Sequence, residues 1–299
     1  MESIEVSQEQ NYKACVESEA DQFMCAHLVQ TVQRIENIEE LEIESRLGYI
    51  KPLLKNPRAP EGMIFNFKHG VVLPPAKWGG KTIYVFTPGI FPHHYKNVLS
   101  VFQELAKAKE EEKLDENTLS DKAKILNKIN EDDIFEDLGP HKFTNETYEN
   151  KIRISKDAEG NIMKDKTMKK TQLDVLNYFN QGYDFRISVK KEESKNDEVK
   201  EEGKETEPDT EPESAVSSSK LQMTREKIGR SFKTSYLQFD FNKITETSKY
   251  TAKKPSNQIK PKYELEVELT GLTKVAGDVE KLSKEIRKLI RFTKYLYYL

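Results

Sequence analysis

The sequence is poor in cysteine, in long apolar runs and in net charge, and each shortage excludes something. Only Cys15 and Cys25 occur, in a helix-like stretch with neither metal-ligand nor redox spacing, so a disulfide framework is excluded and a reducing compartment fits. No stretch is long and apolar enough to cross a bilayer, and the opening MESIEVSQEQ lacks the basic start and apolar run of a signal peptide. The expectation is a soluble, intracellular chain with no membrane partner. The 48 basic and 51 acidic residues nearly cancel to a net charge of -3, which argues against indiscriminate nucleic-acid binding. Any anion site must therefore be local. His93 and His94 in PHHYKN have no third His or Cys at metal spacing and read as surface residues. Trp78 and the aromatics of the terminal YLYYL read as packing residues rather than base-stacking platforms. No internal repeat of fixed period is present.

What is present suits a substantial core. The 299 residues are 36% hydrophobic and 33% charged, enough for one large mixed domain or two smaller ones. Apolar residues at helical spacing from Asn11 to about Ile38 predict an N-terminal helix, which sets off residues 1–38 as a helical segment. Strand-like runs follow: LEIESRLG from Leu41, GMIFNFKHGVVLPP and KTIYVFTPGI. The chain then turns helical in PHHYKNVLSVFQELAKAKEEE, and a charged helical or irregular stretch reaches to about Asp137. Further strands are read in HKFTNETYENKIRIS, NIMKDKTMKKTQLDVLNY, YDFRISVKKE, KTSYLQFDFNKI and KYELEVELTG, and an amphipathic helix closes the chain. Residues 194–220 are packed with Lys, Glu, Ser and Pro and have almost nothing to bury, so a disordered surface insert is expected there. Many antiparallel strands with few helices between them favour a meander or a closed barrel.

Period-two alternation exposes a chemical pattern. In LEIESRLG, Glu42, Glu44 and Arg46 share one face of a strand while Leu41, Ile43, Ser45 and Leu47 share the other. KYELEVELTG repeats it, with Glu264, Glu266 and Glu268 alternating with Leu265, Val267 and Leu269. An ordinary surface sheet with polar residues outward explains either row alone. Basic side chains alternate too: Lys151 with Arg153, Lys170 with Gln172, Asp184 with Arg186, Ser188, Lys190 and Glu192, and Arg225 with Lys227 and, past Gly229, Arg230. If these strands curl into one barrel with the charged faces inward, burying so many charges unpaired is prohibitive. A lumen holding water, a divalent cation and an anionic ligand removes that objection, because carboxylates bind hard cations and lysines and arginines bind phosphate.

The pairing of ELEIESRLG with YELEVEL resembles the fungal, protozoan and viral metal-dependent RNA 5′-triphosphatases of mRNA capping, members of the triphosphate tunnel metalloenzymes, over nearly the whole chain. The resemblance implies an α+β fold, a closed eight-stranded antiparallel barrel flanked by helices, over residues 39–299. It implies Mg²⁺ or Mn²⁺ held by Glu42, Glu44 and Glu268, with Glu266 acting through a metal-bound water. IRIS, KKTQLDVLNY, YDFRISVKKE, REKIGRSF and LQFDF resemble further strands of the family. By that match Arg153, Lys227 and Arg230 stabilise the transferred phosphoryl group and Glu192 orients the attacking water. Arg46, Lys170, Arg186, Arg225 and Glu264 complete the charged lattice, and Asp240 falls on an important aspartate. The chain departs from the pattern at Gln172, Gly229 and Gln238, each standing where the family favours Arg, and a bulge at Gly229 is expected to swing Arg230 inward.

The implied substrate is the 5′-triphosphate end of nascent RNA, and the implied partner is an mRNA guanylyltransferase in the nucleus, with a homodimer or a monomer open. A tripolyphosphatase or NTPase of the same fold, and a phosphate-binding capping subunit without catalysis, remain as alternatives.

Overall fold

The computed structural model describes residues 18–53, 70–73, 77–78, 81–111, 118–131, 134–149, 152–163, 168–180, 182–194, 220–248 and 260–299. Cys15, Lys151 and residues 195–219 of the charged insert lie outside the described residues, as does the side chain of Trp78.

Helix α1 (Glu19–Gln33) begins at a capping box: the Asp21 amide donates to Ser18 Oγ, and the Ser18 amide donates to the Asp21 carboxylate. The helix stops at Gln33, short of the expected Ile38, and a turn leads into β1 (Leu41–Pro52). The chain then forms β2 (Val71–Leu73), a small ladder of β3 (Lys77–Trp78) and β4 (Lys81–Thr82), and β5 (Tyr84–Pro88). Two helices follow. Proline at its first turn starts α2 (Pro92–Glu110), and Ser120 caps α3 (Asp121–Asn130). The remaining strands are β6 (Glu136–Tyr148), β7 (Ile152–Lys156), β8 (Met168–Phe179), β9 (Asp184–Ser194), β10 (Leu221–Lys233), β11 (Leu237–Ser248) and β12 (Lys262–Leu269), and α4 (Val279–Tyr295) ends the fold.

Neighbouring strands run β1, β12, β11, β10, β6, β7, β8, β9 and return to β1, so eight antiparallel strands close into a barrel, as the resemblance implied. The seam between β1 and β12 is short, from Ile43 opposite Leu269 to Arg46 opposite Glu266. Beyond it β5 takes over the same edge of β1. The handover falls at Gly48, where a Cβ would overlap the Thr87 carbonyl oxygen and stand 2.7 Å from Phe86 Cζ. Only glycine lets the strands approach so closely.

The outward faces of β9, β1, β12 and β11 carry Phe185, Ile187, Ile43, Leu47, Val267, Leu265, Phe239 and Phe241, all buried under the helices. Phe102 of α2 sits at the centre of a ring cluster, with centroids 5.0–5.4 Å from Phe135, Phe232, Phe239 and Phe241. Fully burying such a side chain contributes about 1.5–3 kcal/mol. Lys294 of α4 joins α1 through a buried ion pair with Asp21 at 2.8 Å. These helices hold one half of the barrel rigid from outside, which leaves the inward faces free for polar chemistry.

Candidate active site

Both faces of β1 are buried, and for opposite reasons. Ile43 and Leu47 face the helices, while Glu42 and Glu44 are only 7% and 3% exposed because they face the barrel interior. In register opposite them stand Lys190 and Ser188 of β9, and Glu268 and Glu266 of β12 lie opposite Glu44 and Arg46. The acidic rows read from the sequence thus meet side by side in one lumen, where the direct Glu44–Glu268 pairing of like charges calls for compensation.

Most of that compensation comes from within. Lys170 Nζ lies 2.6 Å from Glu42 and also pairs with Glu192, and Lys190 pairs with Glu44 and stands 3.8 Å from Glu42. The Arg46 guanidinium reaches Glu44 at 2.9 Å, Glu266 at 3.5 Å and Glu264 at 3.9 Å. Arg225 holds Glu264 at 2.8 Å, and Lys227 holds Glu266 at 3.4 Å. Burial by itself pushes the Glu266 carboxyl up, but the Arg46 and Lys227 charges outweigh it and hold the group down at about 2. Glu192 is likewise lowered, its burial outweighed by Lys170. Burial works against the Lys170 ammonium, yet Glu42 and Glu192 hold it above the usual lysine range.

Two groups stand outside this lattice. Glu268 makes no ion pair among the described residues, and burial together with Glu42, Asp240 and Glu44 pushes its carboxyl up to about 8. Arg153 likewise makes no ion pair among the described residues. Its Nη2 donates to Met168 Sδ at 3.5 Å and its buried Nε has no partner. A carboxyl and a guanidinium outside the ion-pair lattice therefore line the same cavity of about 370 Å³, along with Lys170, Glu192, Lys227 and Asp240. Among the described residues no three His, Cys, Asp or Glu side chains converge as a preformed metal cage; Lys190 stands between Glu42 and Glu44, and Lys170 between Glu42 and Glu192.

Other candidate residues take different places. Arg186 stays on the inner wall, its Nε donating to Asn177 Oδ1 at 2.8 Å and its guanidinium lying over Phe86. Asp240 accepts hydrogen bonds from Ser231 Oγ at 2.5 Å and Gln238 Nε2 at 3.0 Å. Arg230 is the correction: β10 pairs with β11 without a shift from Met223 to Lys233, so no bulge forms at Gly229 and the side chain points outward. There it grips Asp137, with Nε at 2.7 Å. A Cβ at Gly229 would overlap the Phe241 carbonyl oxygen, so glycine serves close strand approach rather than an inserted residue. Register shifts fall elsewhere: in the β10–β6 pairing at Leu221/Met223 and Ser231/Phe232, and on β8 between Gln172 and Asp174, where exposed Gln172 donates to the Val189 carbonyl at 2.9 Å.

Sequence reasoning passed over several lumen residues. Asn145 with Ser155 (2.6 Å apart), Asn242 and His141 all face inward, and parity within each strand is the signal that finds them once the strand pairing is known. The two adjacent histidines do not form a ligand pair: buried His94 donates to the Leu296 carbonyl at 2.8 Å, and His93 stacks on Phe91.

Residues 16–291 match the family model described as mRNA capping enzyme, beta chain. Comparison with curated protein sequences returns no match. Among solved structures, the fold is similar to that of the S. pombe Pct1 RNA triphosphatase, with TM-score 0.58 and 17% identity over 95% of this chain and 91% of that one. The structure of Pct1 in complex with the Spt5 CTD aligns with TM-score 0.60 and 17% identity, over 99% and 97%. The family match leaves out only the two ends of the chain, and the barrel is shared with a known RNA triphosphatase, so this chain belongs to the mRNA-capping RNA triphosphatase family.

Proposed function

We propose that the protein hydrolyses the γ-phosphate of triphosphate-ended RNA, giving diphosphate-ended RNA and phosphate. The observation that carries this reading is the pairing, in one closed lumen, of a Glu268 carboxyl and an Arg153 guanidinium that make no ion pair among the described residues. A divalent cation and a phosphate chain supply the two missing partners.

The donor set fits Mg²⁺ or Mn²⁺: Glu42, Glu44 and Glu268 would hold it directly and Glu266 through a water, since hard cations prefer oxygen ligands. Bound there, the cation neutralises charge on the phosphate oxygens. Arg153 and Lys227 face the same cavity and bind those oxygens, where fixed cations act most strongly on charge that spreads during phosphoryl transfer. Glu192, kept ionised beside Lys170, accepts a hydrogen bond from the attacking water and orients it. Arg46, Lys170, Arg225 and Glu264 position these groups through the lattice described above, Arg186 shapes the wall through Asn177, and Asp240 acts through Ser231 and Gln238. The product end is the substrate of a guanylyltransferase, which we place with this protein in the nucleus, the protein acting as a homodimer or a monomer.

The test is phosphate release from γ-labelled triphosphate-ended RNA with Mg²⁺, with Mn²⁺ and with chelator, beside Glu44→Ala and Glu268→Ala. Metal-dependent release that both substitutions abolish is expected; release that survives chelation overturns the reading. A second reading, hydrolysis of free tripolyphosphate or nucleoside triphosphates, is favoured by a lumen lined with groups that grip phosphate rather than bases. Competition by tripolyphosphate in the same assay ranks the two.

A further inference from the structure

The inner row of β10 runs Arg225, Lys227, Gly229, Ser231, and its third position has no side chain. The space in front of Gly229 is filled from β6, where His141 is its cross-strand neighbour; a Cβ at Gly229 would stand 2.9 Å from His141 Nε2. His141 lines a chamber of about 300 Å³ with Lys227, Ser231, Gln238, Asp240 and Asn242. Lys227, Gln238 and Asp240 also line the central cavity, so this chamber is a side lobe of the tunnel.

Hydrogen-bond directions decide the form of the imidazole. Ser231 has one hydroxyl proton, which goes to Asp240 Oδ1 at 2.5 Å, so its oxygen accepts from His141 Nδ1 at 3.1 Å. Asn242 offers Oδ1 to His141 Nε2 at 2.9 Å. Both ring nitrogens then face acceptor oxygens, an arrangement that the imidazolium satisfies in full. We propose that charged His141 is a pH-gated cation of the tunnel and that, with Lys227, it makes the side lobe a subsite for a tetrahedral oxyanion such as a phosphoryl group.

The charged groups around it are few. β10 presents Lys227, which opposes a second positive charge, and Arg225, which is neutralised by Glu264 and Glu246. β11 presents Asp240, which favours the charge through Ser231. On β12, behind β11, Glu264 and Glu266 are tied to Arg225, Arg46 and Lys227. On the outer wall, Lys142 pairs with Glu226 and Asp137 with Arg230, away from the lobe.

The role in turnover rests on the triphosphatase reading, but anion binding does not, and the test uses that difference. Inorganic sulfate keeps its charge throughout, so its affinity for the full chain, measured by calorimetry with chelator present, reports only on the protein. For the wild type, affinity should fall about tenfold more than for His141→Gln between about pH 5.5 and about pH 8.5, the span over which imidazole titrates. His141→Lys should lose no more affinity across that span than His141→Gln. Glu268 also loses a proton in this range but is present in all three proteins, so it drops out of the comparison. Coincident profiles for wild type and His141→Gln, or a wild type as flat as His141→Lys, overturn the proposal, because a neutral imidazole accepting from the Asn242 amide explains them. Should His141→Gln not fold, the contrast between wild type and His141→Lys still decides. A protein that passes this test but hydrolyses no triphosphate refutes the triphosphatase reading alone.

Discussion

Glu268 and Arg153 face the lumen without an ion pair among the described residues, and each has a measurable consequence. Burial and the neighbouring carboxylates raise the Glu268 carboxyl from 4.5 to about 8, so the folded state favours its neutral form. A raised folded-state value gives stability that is fully present below the unfolded value and is lost as pH rises through about 8. Metal-free protein should therefore lose on the order of 3 kcal/mol between about pH 5 and about pH 8 through this group. Denaturant melts across that range should show the decline, Glu268→Gln should flatten it, and a decline unchanged in Glu268→Gln would exclude Glu268 as its source. Glu266 has the opposite sign: its lowered value adds stability above 4.5 that is lost as pH falls through about 2. Arg153→Ala should cost about 100-fold in kcat with little change in stability, because its guanidinium makes no ion pair among the described residues and only a weak contact with Met168 Sδ. The acidic residues were legible because carboxylates alternating with aliphatics in a strand share one face whatever that strand pairs with. His141 was not, because its neighbours Ser231 and Asn242 lie far along the chain and meet it only through strand pairing.

Elements were legible where apolar periodicity defined them and blurred where polar pairing did. HKFTNETYENKIRIS read as one strand, yet it folds as β6 and β7, which turn back and pair with each other. The charged stretch up to Asp137 hides α3 and the first residues of β6. Glu136 and Asp137 extend that strand by pairing with Lys233 and Arg230 across β10, contacts that leave no apolar alternation to read. Strand β1 was found by alternation, but its change of partner was not, since that depends on Gly48. Gly48→Ala should cost about 1–3 kcal/mol, the usual range for a methyl forced into packed surroundings. A denaturant midpoint equal to wild type would show that β5 can move aside, and that Gly48 does not fix the handover.

At the scale of the whole molecule, closure is what converts ordinary charged strand faces into a site. The same rows on an open sheet would face water and screen one another. Inside the barrel, Glu42, Glu44, Glu264 and Glu266 are all at most 8% exposed, and each leans on a cation from another strand, Lys170, Lys190, Arg225 and Lys227 in turn. The barrel's antiparallel class followed from the many strands, but the closing β1–β12 seam spans residues at opposite ends of the sequence and only pairing reveals it. Under the proposed function, a cation held by β1 and β12 and a polyphosphate gripped by Arg153 on β7 and Lys227 on β10 would touch the barrel on both sides. Their binding should therefore protect the molecule as one unit rather than one edge of it. At a ligand concentration of about 100 times Kd, the stabilisation should be about 2.7 kcal/mol. Amide hydrogen exchange with Mn²⁺ and tripolyphosphate together should slow in β7 and β10 as well as in β1 and β12. Slowing confined to β1 and β12 would mean that the cation binds but the phosphate chain does not cross the lumen, and the assignment of Arg153 and Lys227 to its oxygens would fail.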